Sequence, residues 1–387
     1  MIKRNMQTQL RSLASQFPIV SVTGPRQSGK TTLIRNTFPN YTYINLEEPS
    51  IQKKAKTDPT EFIRSFKKPI IIDEAQYVPD VFSSVQVLSD ENESPGQFIL
   101  SGSQNFLLLK NISQSLAGRV GILTLLTLDF CELANWNKNL NYVDVMLKGG
   151  YPRLYDSNIE SKKYYKSYLQ TYIHRDVEGY LDVRNSVAFA SFIKILASRS
   201  GQLLNYSSLA KELSINIRTV KSWISILCSC HICFLLQPYY KNINKRLVKS
   251  PKIYFLDSGL LCYLLDVSNV SEYHQSDYKG KIFENFVVSE TLKNYYNYDE
   301  DAQLFYYRDD EKTEVDLIVI DKNAKYNLCE IKSSSLYNEK YKKPLLKVSN
   351  YLNIPHEKVC VTYGGQGAFM DGETQIIDFP SWSNSFS

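Results

Sequence analysis

The octapeptide GPRQSGKT, Gly24 to Thr31, constrains this chain more than any other stretch. It satisfies G-x-x-x-x-G-K-[ST], follows the apolar run IVSVT and opens the helix-forming run KTTLIRNTF. Glycine lets the backbone turn tightly, so that successive N–H groups face one anion, and the helix that follows aims its positive N-terminus at the same point. A strand, loop and helix in this order are built to hold phosphate. Lys30 is expected to reach the β- and γ-phosphates of a nucleotide and Thr31 to ligate Mg²⁺. Gly24, Pro25, Arg26, Gln27, Ser28, Gly29 and Thr32 complete the ATP cradle.

Two further strand tips belong with the loop. IIIDE ends in Asp73 and Glu74, and an apolar strand rarely carries adjacent carboxylates without a reason. Asp73 fits a Mg²⁺ ligand and Glu74 the group that polarises the attacking water. FILSGSQ ends in small polar residues, of which Ser101 or Ser103 is placed to meet the γ-phosphate or the water. Hydrolysis also needs a positive group on the developing charge. Arg26, Arg119 and Arg153 are the candidates, with Arg119 preferred. If Arg119 is too far from the phosphates within one chain, a homo-oligomer that supplies it from a neighbour is expected.

Between about residues 18 and 130, continuous apolar runs alternate with helical patterns, which suits a parallel sheet covered on both faces. Residues 131–200 turn helical and tyrosine-rich, with Tyr165, Leu169, Tyr172 and Ile173 on one core-facing stripe. From 201, YSSLAKELSINIRTVKSWISIL reads as helix, turn, helix, followed by two strands around a basic stretch, the pattern of a winged helix. Lys241, Lys245, Arg246, Lys249 and Lys252 in the wing, with Arg218 and Lys221 on the second helix, are placed to grip nucleic acid, DNA or RNA. The neighbouring CSCHIC, with Cys228, Cys230, His231 and Cys233, has no second cluster to complete a zinc site and reads as apolar packing.

GPRQSGKTTL, IIIDEAQ, ILSGS and SLAGRV together resemble a prokaryotic AAA-type ATPase family. Its members carry a C-terminal domain of unknown function related to PD-(D/E)XK nucleases. The resemblance runs from about residue 15 to 375. It implies an α/β architecture: a P-loop AAA-like parallel sheet of five strands, a helical segment, a winged helix and a C-terminal restriction-endonuclease-like α/β domain. The corresponding divisions are 1–130, 131–200, 201–265 and 266–387.

Near the end, VDLIVI, a turn at DKNAK, and YNLCEIKS read as a hairpin. Asp316 lies on its first strand, and Glu330 and Lys332, two apart, share a face of the second. Asp, hairpin, Glu-x-Lys is the core spacing of that nuclease fold. Asp316 and Glu330 would offer oxygens to Mg²⁺, with Glu284 of the preceding helix as the accessory acid and Lys332 activating water. Glu314 and Arg308 flank the hairpin.

Composition narrows the partners. The 387 residues are 43% hydrophobic and 22% charged, values of an ordinary folded chain, and the net charge of +5 permits nucleic acid without requiring it. Seven cysteines without a disulfide framework suggest a cytoplasmic protein. The N-terminal stretch lacks the apolar core of a signal peptide. The longest apolar run, Val120 to Leu128, is too short for a bilayer, so no membrane partner is expected.

Three readings remain open at this point. The first is a Mg²⁺-dependent ATPase that couples nucleotide state to a nucleic-acid-facing or nuclease-like module. The second is a slow ATP switch in signalling or defence whose nuclease-like domain is an inactive interaction surface. The third is a transcription regulator acting through its winged helix.

Overall fold

The computed structural model describes residues 2–92, 94–102, 116–173, 186–240, 250–298, 303–321, 323–355 and 359–385. Ser103, Lys241, Lys245, Arg246 and Lys249 lie outside them, as do the side chains of Tyr172 and Ile173. The chain forms two compact units. One is Met1–Leu128 with Ser229–His231 and Tyr296–Asp299; the other is Asp129–Cys228, Ile232–Tyr295 and Glu300–Ser387.

In the first unit, the apolar runs become β1 (Ile19–Thr23), β2 (Thr42–Asn45), β3 (Ile70–Asp73), β4 (Phe98–Ser101) and β5 (Val120–Thr124). They pair in the order β2-β3-β4-β1-β5, every neighbour parallel. Alternate residues serve opposite faces. Ile19, Ile70, Ile72, Phe98 and Leu100 join one core with Val81, Phe82 and Val85 of the helix Asp80–Asp90. Val20, Val22, Ile71, Ile99 and Leu123 join another with Leu33 and Ile34 of the helix Lys30–Thr37. Both faces are covered, which explains why the strands read as unbroken apolar runs. Each fully buried Val, Ile or Leu contributes about 1.5–3 kcal/mol relative to exposure. Because the strands are parallel, the loop after β1, Asp73 at the end of β3 and Ser101 at the end of β4 all emerge at one edge, where open sheets of this kind bind ligands.

The second unit opens with helices. Tyr164, Tyr165 and Tyr168 are buried on the helix Ser161–Tyr168, while Leu169 is half-buried. The stripe therefore runs one residue out of phase with expectation, with Tyr165 common to both. Helices Tyr206–Glu212 and Ile217–Ser229 follow, the second burying Val220, Trp223, Ile224 and Leu227 at helical spacing.

β6 (Cys233–Pro238) and β7 (Lys252–Phe255) then pair antiparallel. β8 (Gln303–Arg308), β9 (Glu314–Ile320) and β10 (Tyr326–Lys332) form an antiparallel meander, including the expected hairpin. β11 (Val359–Tyr363) runs parallel to β10, and β12 (Phe369–Asp371) and β13 (Thr374–Asp378) complete the far edge. The order is β12-β13-β11-β10-β9-β8-β6-β7. β6 joins this sheet by parallel pairing of Gln237 and Pro238 with Phe305 and Tyr306. The sheet thus takes strands from both sides of residue 265. The helix Lys279–Asn297 belongs to the same unit as far as Tyr295. No helix among the described residues is long and apolar enough to cross a membrane.

Candidate nucleotide site and the C-terminal acid cluster

The phosphate loop takes the backbone conformations its glycines permit. Gly24 has φ +132°, and a Cβ there would lie 2.1 Å from the Leu125 carbonyl oxygen, so no other residue fits. Gln27 at φ +60° and Gly29 at φ +93° complete the turn into the helix. Inside the loop, Lys30 Nζ donates to the carbonyls of Gly24 at 3.0 Å and Pro25 at 2.8 Å. The ammonium is buried, and burial pushes it down to about 8 although Glu74 and Asp73 favour its charge; Arg26 pushes it down further. Ser28 is buried, Gln27 and Thr32 are exposed, and Thr31 is half-buried.

Asp73 gathers the other two strand tips. The Thr31 hydroxyl donates to its Oδ2 at 2.8 Å, and the Tyr43 hydroxyl to the same oxygen at 2.7 Å. Ser101 donates to Oδ1, as does the Glu74 backbone N–H. Glu74 is held in the left-handed region, φ +53°, and receives the side-chain amide of Gln76. The structure thus brings Thr31, Asp73, Glu74 and Ser101 together around one carboxylate beside Lys30.

Arg119 is a correction. Its guanidinium lies on the exposed Asp90 carboxylate, Nε to Oδ1 at 2.6 Å and Nη2 to Oδ2 at 3.1 Å. A forked pair of this kind engages the guanidinium on Asp90 within the chain. Arg153 is exposed as well.

Three residues were not legible as parts of this site. Arg4, in a stretch that reads only as basic, is buried and donates to Ser28 O and Leu126 O, each at 2.8 Å. It fastens the loop to the segment after β5. Tyr43 lies in an ordinary strand run and gains its role from parallel pairing, which sets Asn45 opposite Asp73. The half-buried His231 belongs to the first unit by its contacts; desolvation, then Lys30, lowers its imidazole to about 4. Its only sequence signal, CSCHIC, points elsewhere.

In the second unit, β9, β10, β7 and the helix Lys279–Asn297 converge on a buried charge cluster. Lys252 Nζ lies 2.6 Å from Glu314, 3.3 Å from Glu284 and 4.0 Å from Asp316. Lys332 Nζ lies 2.6 Å from Glu330 and 3.4 Å from Asp316. Tyr254 donates to Glu284 at 2.6 Å, and the Ile331 N–H to Asp316 at 2.9 Å. Burial, then Asp316, raises the Glu330 carboxyl to about 8. Arg308 reaches Glu314 at 3.2 Å.

The expected residues meet, but not as an ion site. Among the described residues, no three His, Cys, Asp or Glu side chains converge closely enough to hold a metal. Mg²⁺ demands oxygens at about 2.0–2.1 Å in near-octahedral array. Here the carboxylates of Asp316, Glu330 and Glu284 are already engaged by ammonium groups, so the expected metal set is corrected to an ion-pair network. Lys252 is corrected too: it is 2% exposed and cannot grip nucleic acid from a wing. Arg218 and Lys221 remain exposed.

Comparison with known proteins follows this division. Residues 16–134 match the family described as an AAA domain, and residues 139–271 and 279–382 match two domains of unknown function, DUF8612 and DUF4143. Among curated proteins, the chain is 31% identical over 339 residues to the uncharacterized protein Rv2008c of Mycobacterium tuberculosis, covering 86% of this chain and 74% of the relative. The uncharacterized protein MJ1544 of Methanocaldococcus jannaschii is 24% identical, covering 99% and 91%. Among solved structures, a Walker-type ATPase of Pyrococcus abyssi superposes with a TM-score of 0.46 at 15% identity, over 68% of this chain and 96% of that one. At 31% identity over most of both chains, with its P-loop inside an AAA domain, the protein belongs to the family of the mycobacterial protein Rv2008c.

Proposed function

We propose that this AAA-domain protein binds ATP and hydrolyses it with Mg²⁺. The observation that carries the reading is the convergence of Thr31, Glu74 and Ser101 on Asp73, at the edge of the sheet where the glycine loop turns. The residues present fit the metal. Asp73 is surrounded by neutral hydroxyl donors, which hold it in place and leave its charge for a cation. Thr31 and Asp73 would hold Mg²⁺, which neutralises phosphate charge when bound.

The chain's own groups then have distinct tasks. The loop N–H groups and the helix N-terminus bind the phosphates. Lys30 exchanges two backbone carbonyls for phosphate oxygens, a stronger charge-assisted contact. Glu74, oriented by Gln76, takes the proton of the attacking water. The forked pair of Arg119 with Asp90 supports a site whose outer arginine comes from a second copy of the chain. The remaining domains would read out whether the site is filled, as a switch does; the ion-paired acid cluster favours an interaction role for them over cleavage of nucleic acid.

ATP turnover across a protein concentration series, with Lys30→Ala and Glu74→Gln, tests the proposal. Nucleotide binding retained and turnover lost in Glu74→Gln is expected. Wild-type turnover in that variant would remove Glu74 from its role, and turnover per chain independent of concentration would remove the second copy.

A further inference from the structure

The sheet of the second unit and the helix Lys279–Asn297 gather four carboxylates in one cluster: Asp316 and Glu330 are buried, Glu284 and Glu314 half-buried. Carboxylates at such density need a counter-charge, because an ion taken out of water without a partner is strongly destabilising. A divalent cation is one solution. The chain supplies another.

We infer that the ammonium of Lys252 is the resident cation of this cluster, standing where a divalent metal would otherwise stand, so that the site assembles and works without metal. Its position shows the fit. Lys252 is the first residue of β7, and its side chain crosses to meet Glu314 of β9 at 2.6 Å and Glu284 of the long helix at 3.3 Å. Asp316 lies on its open side at 4.0 Å, and the Tyr306 ring completes the cage with its centroid 5.5 Å from the ammonium. The side chain is 3% exposed. Burial works against its charge, but Tyr254, Glu284, Asp316 and Glu314 together outweigh burial and hold the proton well above its ordinary range.

The neighbours leave the cation little freedom. Glu284 is held by the Tyr254 hydroxyl, and Gly201 leaves it room, since a Cβ there would lie 3.1 Å from the carboxylate. Lys332 does the same work for the other half of the cluster, bridging Glu330 and Asp316. An ammonium donates hydrogen bonds at nearly 3 Å, whereas a metal draws oxygens to about 2.0–2.6 Å. A dication entering beside the buried ammonium of Lys252 and the half-buried one of Lys332 would meet repulsion that the carboxylates no longer offset. Lys252 also staples elements together: it binds β7 to β9 and to the helix Lys279–Asn297, and its backbone bridges Leu203.

Mn²⁺ binding counted by electron paramagnetic resonance without nucleotide tests this. Wild type and Asp316→Asn are compared, so that any ion at the phosphate loop cancels. The two are expected to bind equal amounts of Mn²⁺ up to about 1 mM, the weak end of protein cation sites. One ion more in wild type than in Asp316→Asn would overturn the inference. Lys252→Ala, or Lys252→Met if the smaller side chain does not fold, is expected to gain one Mn²⁺ that is lost again on adding Asp316→Asn. A folded Lys252 variant that gains none would also overturn it, since the acids would then not frame a cation position. The wild-type comparison decides even if neither Lys252 variant folds.

Discussion

Two carboxylate centres, one in each unit, use opposite means to hold their acids. Around Asp73 the hydrogen-bonding partners are neutral, hydroxyls of Thr31, Tyr43 and Ser101 and one backbone N–H, while the Lys30 ammonium stands near without bonding to it. These orient the carboxylate without cancelling its charge, and a cation can still be drawn to it. Around Asp316 and Glu284 the Ile331 N–H and the Tyr254 hydroxyl are joined by the ammonium groups of Lys252 and Lys332, which do cancel charge. The difference teaches that the same side chain is poised for a metal or closed to it according to whether its neighbours bring dipoles or ions.

The contrast can be broken most severely at Glu74. Loss of a positioned general base costs about 10²–10⁴-fold in rate. Glu74→Gln is therefore expected to bind ATP normally in a fluorescence titration and to fall by that range in phosphate release. Unchanged turnover would assign the water to another group.

The second expected effect lies in the other centre. Removing one partner of a buried ion pair costs about 3–5 kcal/mol. Lys252→Met is expected to destabilise the chain by that amount in urea melts in metal-free buffer, and added Mn²⁺ is expected to restore part of it. A variant as stable as wild type would mean that the ammonium is not what balances these acids.

Lys30→Ala removes a charge from the phosphate loop itself. Charge-assisted hydrogen bonds contribute about 1.5–3 kcal/mol, or roughly 10–150-fold in affinity. Calorimetry with MgATP is expected to show a loss in that range without a fall in melting temperature of more than a few degrees. An equal loss of stability would make Lys30 a structural residue.

The smallest effect sharpens the comparison. Tyr43→Phe removes one neutral hydrogen bond from Asp73 and no charge. A loss of about 1 kcal/mol is expected in stability, with Mg²⁺ dependence of turnover shifted only slightly. A loss as large as that of Lys252→Met would erase the distinction between dipolar and ionic support.

Much of this was legible in the sequence, for physical reasons. The five strands of the first sheet announce themselves because both faces are covered, leaving unbroken runs such as IIID and FILS. The loop is legible because close backbone approach to an anion demands glycine. The hairpin of Asp316 and Glu330 shows itself through two apolar strands around a turn. What the sequence hides is long-range pairing. Nothing near Arg4 signals that it will fasten Ser28 to Leu126, 122 residues away.

Lys252 misled for the same reason. It follows a basic stretch and reads as one more surface charge, whereas strand pairing carries it inward to Glu284 and Glu314. Arg119 reads as catalytic from its position after a strand, but a single acid at Asp90 redirects it. Charged residues are the hardest to place from sequence because their partner, not their own chemistry, fixes their role.

The most direct test of the account is a calorimetric titration of the chain with ATP in Mg²⁺, repeated in Lys30→Ala. One ATP per chain, with heat that disappears or shifts to much higher concentration in the variant, is the predicted result. No heat from the wild-type protein, or the same binding curve in both, would contradict it.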